Sequence, residues 1–153
     1  MKPEHPKPRT LSEELLRGAK DFHGHRGPFL ILGLRIGLTA LRLLDAEGWF
    51  DLKCRVRLPL KVPETCLLDG IQFSTGCTLG KRNIEVEEGE EIEVFFEKRD
   101  GGRINIKVRP EALRRIREAL SRGMEGMMEE AEHLLKASDE ELLETSTPPP
   151  TSR

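Results

Sequence analysis

The run from Phe29 to Leu44 is apolar on nearly every side, broken by Arg35, Arg42 and two glycines. A helix without a polar face has to be surrounded, so the segment predicts a central helix that everything else must cover. Pro28 suits its first position, and the helix is expected to run to about Glu47 and close at Gly48. It falls short of the roughly 20 residues needed to cross a bilayer. Gly33 and Gly37, four apart, share one face and would let a second backbone come close, either a neighbouring element or a second subunit.

The elements around it follow from periodicity. Residues 1–11 read as a polar, Pro-rich arm, and Thr10 or Ser12 followed by Glu13 and Glu14 starts a first helix ending near Asp21. Lys53 to Lys61 alternates Cys54, Val56, Leu58 and Leu60 inward against basic residues outward, which predicts a half-buried strand with Pro59 near an edge or end. A third helix is expected from Cys66 to about Thr75. Three alternating strands follow, Asn83 to Glu87, Glu91 to Glu97 and Arg103 to Val108, read as an antiparallel meander.

Pro110 opens a last long helix with Leu113, Ile116, Leu120, Met124, Met127, Ala131 and Leu134 on its inner face. Residues 12–137 thus form one α+β domain, helix-helix-strand-helix-three strands-helix, whose mixed or antiparallel sheet carries helices on one face. In residues 138–153, Ser138 with Glu141 caps one more helical turn, and a disordered Pro-, Ser- and Thr-rich tail is expected from Thr145.

Charge and cysteine count narrow the function. With 25 basic and 27 acidic residues the formal charge is −2, so neither nucleic acid nor an anionic membrane surface is an expected partner. Three cysteines, an odd number, argue against a secreted disulfide scaffold and for a reducing cytoplasm.

Chemistry concentrates in two places. In Phe22-His23-Gly24-His25-Arg26-Gly27-Pro28, two of the four histidines stand two apart, so in extended backbone their imidazoles aim the same way. The second place runs from Cys66 through Asp69 to Gly76-Cys77-Thr78-Leu79-Gly80-Lys81. Cys77, between glycines, is poorly placed for packing, whereas Cys54 on the inward strand face reads as core. Imidazole and thiolate suit zinc or another borderline metal. Cys66 and Cys77 are eleven positions apart, roughly 15 Å along a continuous helix. Either that helix is shorter or only one of them joins the histidines.

Phe22-His23-Gly24-His25-x-x-Pro28, Gly33-x-Arg35-x-Gly37, Cys66-x-x-Asp69-Gly70-Ile71-Gln72 and Gly76-Cys77-Thr78-x-Gly80-Lys81-x-Asn83 together resemble the FmdE family, named for the FmdE component of formylmethanofuran dehydrogenase. The resemblance covers roughly residues 12 to 110. It implies a fold related to the catalytic domain of glyceraldehyde-3-phosphate dehydrogenase, a bound metal, often zinc, and frequent homodimers. His23, His25, Cys66 and Cys77 match the family's metal-ligand positions. Many members carry a cysteine where this chain has Gly27, and a glycine where it has Phe29. The absence of cysteines after Cys77 marks the short form, without a C-terminal zinc ribbon.

Two functional expectations follow. The first is a cytoplasmic metal-binding protein, accessory to one-carbon or molybdenum and tungsten enzyme chemistry and with an enzyme complex as a partner. The second is a small-molecule enzyme with Cys77 as nucleophile, His23 or His25 as base, and Arg35, Lys81 or Arg82 holding an anionic substrate.

Overall fold

The computed structural model describes residues 4–148. Ser12 caps α1 (Glu13–His23), its hydroxyl accepting from the Leu15 N–H, and Gly24 at φ 110° ends it in the left-handed region that favours glycine. The central helix α2 (Pro28–Leu44) has thirteen of its seventeen residues buried. It stops three residues before the expected end, because Asp45 takes a left-handed cap and Gly48 serves the turn into the next strand.

The strands are β1 (Leu52–Leu58), β2 (Ile84–Glu88), β3 (Glu93–Lys98), β4 (Arg103–Val108) and β5 (Leu143–Ser146), with α3 (Cys66–Thr75) between β1 and β2. The sheet order is β2-β1-β3-β4-β5. The fold is α+β with a mixed sheet. The expected meander is corrected at its first strand: β2 lies parallel to β1, with Val56 opposite Val86, and β3 pairs with the other side of β1. Alternation reports which face a residue takes but not which strand is its neighbour. The α3 crossover supplies the long connection a parallel pair needs. β3 and β4 do form the expected hairpin, turning at Asp100-Gly101-Gly102 with Gly101 at φ 102°.

The predicted last helix is two helices, α4 (Pro110–Ser121) and α5 (Gly123–Lys136), which pack on each other. Gly123 at φ 82° makes the break, and Met124 is consequently 68% exposed although the apolar spacing runs unbroken through it. After α6 (Asp139–Leu142) the chain adds β5 to the β4 edge, so Thr145 and Ser146 are in a strand. Residues 149–153 of the expected tail lie outside the described residues. Residues 5–9 of the arm lie against the end of α2: the Lys7 N–H donates to the Glu47 carbonyl, and Arg9 pairs with Asp45.

Cys54, Val56, Val94, Phe96, Ile104 and Ile106 line the inner sheet face and are buried in one core with α2 and α3. The outer face carries ion pairs such as Lys53–Glu97 and Arg57–Glu87. No described helix is long and apolar enough to cross a membrane.

Gly33 and Gly37 of α2 meet Gly70, Ser74 and Thr75 of α3, a neighbouring element of the same chain. A Cβ on Gly33 would overlap the Leu67 carbonyl oxygen, and one on Gly70 would come within 2.7 Å of the Leu34 nitrogen. Backbone cannot yield as a side-chain tip can. Gly33→Ala is therefore expected to lower stability in urea titration, overpacking costing about 1–3 kcal/mol against a helix-propensity gain of about 1 kcal/mol. An unchanged or raised unfolding midpoint would mean the two backbones are not in contact.

Candidate functional site

The site is built where α1 ends, α2 begins and α3 passes. His23 is the last residue of α1, and the left-handed Gly24 turns the chain so that His25 follows with its ring centroid 4.8 Å from that of His23. Asp69, in the first turn of α3, places Oδ2 at 2.6 Å from His23 Nδ1. A carboxylate only accepts, so Nδ1 carries a proton, and in the neutral imidazole Nε2 is then the nitrogen with the lone pair. The His23 side chain is 8% exposed, and its Nε2 is buried with no hydrogen-bond partner. Buried polar atoms are normally paired, so an orphaned ring nitrogen held in one tautomer marks a place for a ligand.

Cys66 sits one turn before Asp69 and is partly exposed. Burial, and then the Asp69 charge, push its thiol above the ordinary value. Sequence reasoning assigns Asp69 no role of its own. The available signal is its three-residue spacing from Cys66, which puts both side chains on one helix face.

The other predicted residues are elsewhere. Cys77 follows the opposite end of α3, about 9 Å of helix axis beyond Asp69. It is fully buried, with Sγ directed at the Leu52 carbonyl at 3.5 Å and its N–H donating to Thr75 Oγ1. The Cys54 thiol hydrogen-bonds Cys77, which lowers the Cys77 pKa and raises that of Cys54 well above the ordinary value. Glycines on both sides therefore do not keep a thiol out of the core.

Lys81 lies at that same end of α3, with Nζ 3.1 Å from Thr78 Oγ1, and Arg82 is exposed with φ 60°. Arg35 is occupied by the end of α5, donating to the Leu134 and Ala137 carbonyls at 2.6 and 2.7 Å and to Asp139. The structure thus brings together His23 and His25, with Cys66 one turn from the aspartate that orients His23. Cys77, Lys81, Arg82 and Arg35 do not join them. Among the described residues, no three histidine, cysteine, aspartate or glutamate side chains are grouped to hold a metal ion. The donor set fits an open pair of imidazoles and does not fit a closed tetrahedron of His23, His25, Cys66 and Cys77.

A family profile described as "FmdE, Molybdenum formylmethanofuran dehydrogenase operon" matches residues 22–149, which includes both histidines, Asp69 and all three cysteines. The chain belongs to the FmdE family. It is 33% identical over 116 residues to a probable S-adenosyl-L-methionine-binding protein of Archaeoglobus fulgidus, covering 73% of this chain and 31% of that one. This FmdE-family chain therefore spans about a third of that relative's length. A tungsten formylmethanofuran dehydrogenase FmdE-like protein from Syntrophus aciditrophicus superposes with a TM-score of 0.64 at 19% identity, covering 92% of this chain and 73% of that one. At that identity the likeness concerns the fold.

The three thiols are expected to differ in reactivity. Alkylation followed by peptide mapping should label Cys66 in the folded protein and Cys54 and Cys77 only on unfolding. Because the Cys66 pKa is raised, less thiolate is present at a given pH, and its rate profile should lie at higher pH than that of a free thiol. Equal labelling of Cys77 in the folded state would contradict its burial in the core.

Proposed function

We propose that this FmdE-family chain is a cytoplasmic metal-binding protein, accessory to a one-carbon or molybdenum or tungsten enzyme, with His23 and His25 as its ligands. The observation that supports this reading is the buried, unpartnered Nε2 of His23, fixed by the Asp69 bond on the other ring nitrogen. Outer carboxylates of this kind orient a metal-bound imidazole and raise its basicity. Zinc or another divalent transition metal would supply Lewis-acid chemistry there when bound. This chain's residues do the holding: Asp69 sets the tautomer and His25 brings a second imidazole.

With glycine at position 27 and Cys77 committed to the core, two protein ligands leave positions to be filled from outside. A homodimer partner, the associated enzyme or a small molecule can fill them. The name of the Archaeoglobus relative makes S-adenosyl-L-methionine the small molecule to include in the assay. The enzyme reading, with Cys77 as nucleophile, needs sulfur and imidazole within hydrogen-bond reach. Here the Cys77 thiol is directed at Leu52 and His23 is bonded to Asp69.

Cobalt(II) or zinc(II) titration of the purified chain tests the proposal. The wild type is expected to bind, His23→Ala to lose binding, and Asp69→Asn to weaken it about 10- to 100-fold. A Cβ on Gly27 would sit 2.8 Å from His25 Cε1 and 3.1 Å from Nδ1, and this exposed ring has room to shift. Gly27→Cys is accordingly expected to tighten binding by adding a thiolate beside it. Metal retained at full affinity in the double variant His23→Ala, His25→Ala would overturn the assignment, as would no binding by the wild type.

A further inference from the structure

At the C-terminal end of α3, away from the histidines, two lysines converge on the protein's one tryptophan. Lys7, on the arm, has Nζ 4.5 Å from the Trp49 ring centroid and 5.2 Å from that of Phe73. Lys81, in the loop after α3, has Nζ 5.3 Å from Trp49 and 5.9 Å from Phe50. Among the described residues Lys53, Lys98 and Lys107 each reach a carboxylate, and Lys7 and Lys81, like Lys20, Lys61 and Lys136, reach none; what sets Lys7 and Lys81 apart is the aromatic ring they share. Asp51, two residues after Trp49, accepts from the Glu47 N–H through Oδ2 and forms an ion pair with neither lysine. Two like charges around one indole, neither of them in an ion pair, repel each other in a way that a bound anion would relieve.

The indole they share is rigidly placed. Trp49 has φ 60°, a left-handed conformation unusual for a bulky residue. It is held there by Asn83, which donates to the Trp49 carbonyl at 2.8 Å, and by its indole N–H, which donates to the His5 carbonyl at 3.1 Å. Gly76 packs beneath, where a Cβ would lie 2.7 Å from Trp49 Cε3. The Lys7 N–H bond to Glu47 fixes the arm. Thr78 Oγ1 accepts from both the N–H and Nζ of Lys81, so its own O–H remains free to donate.

We propose that Lys7, Lys81 and the Thr78 hydroxyl, arranged around Trp49, bind the phosphate group of a small molecule. Two ammoniums favour a dianion over a monoanion, and a phosphate monoester carries about −1.5 to −2 at pH 7. Burial, and then the Lys81 charge, lower the Lys7 pKa, in keeping with two cations placed near each other. The aromatic surfaces of Trp49 and Phe50 would face whatever the phosphate is attached to.

As the single tryptophan, Trp49 reports on the site by its own fluorescence. Inorganic phosphate should change its emission saturably, with sodium chloride and acetate at matched ionic strength giving no such curve. Phenyl phosphate arms distinguish the sources: tighter binding than inorganic phosphate assigns an organic monoester, and equal binding assigns free phosphate. Lys7→Met and Lys81→Met should each raise the dissociation constant at least tenfold. His23→Ala should bind phosphate as the wild type does, which separates this site from the metal proposal. A phosphate curve that superimposes on chloride overturns the proposal in the wild type alone, even if a variant fails to fold. Undiminished binding by folded lysine variants overturns it too.

Discussion

Backbone contact between α2 and α3 is the constraint on which the remainder of the structure depends. Gly33, Gly37 and Gly70 remove side chains from the contact, so the helices approach until one backbone touches the other. The depth of that approach sets where Asp69 stands relative to the end of α1, and hence whether a carboxylate reaches His23. The helix held by that contact is also the connection between β1 and β2, which lie parallel. Fold and site share one geometric cause.

The two ends of α3 have different chemistry. Near its start, an aspartate steers a histidine and leaves a ring nitrogen unpaired in a buried position. Beyond its end, thiols pair with each other in the core while two lysines gather around Trp49. A ten-residue helix spans about 15 Å, too far for one ion to unite both groups. The motif segments that lie close in sequence therefore serve separate places, with Cys66 and Asp69 at one and Cys77 and Lys81 at the other.

Much of this was legible residue by residue. The all-round apolarity of Phe29 to Leu44 implied a central helix, Cys66 to Thr75 was bounded as found, and Asp100-Gly101-Gly102 marked a true hairpin. The histidine pair was readable because two residues separated by one glycine stay close, although the expected extended backbone is instead a helix end at His23 followed by a left-handed Gly24. The partner of β2 was not readable, since pleat alternation is identical for parallel and antiparallel neighbours. Nor was the break at Gly123, where the apolar period continues through the turn while the chain reverses. Cys77 misled for a related reason: flanking glycines describe local backbone freedom and carry no information about what packs over the sulfur. Arg35, with Gly33 and Gly37 two positions to either side, has the sequence character of a substrate anchor, but the end of α5 comes down on its guanidinium.

By itself the order of residues determined most of the secondary elements, though not the break at Gly123 or β5, together with the α+β class and the two clusters of reactive side chains. These depend on interactions within a few positions: periodic burial, caps and turn chemistry. Only the tertiary structure decided that Asp69 rather than a cysteine meets His23, that Cys54 and Cys77 are partners, and that Lys7 crosses to Trp49. Each of those pairings joins residues far apart along the chain. What selects them is the packing of helices whose approach distance no local pattern encodes.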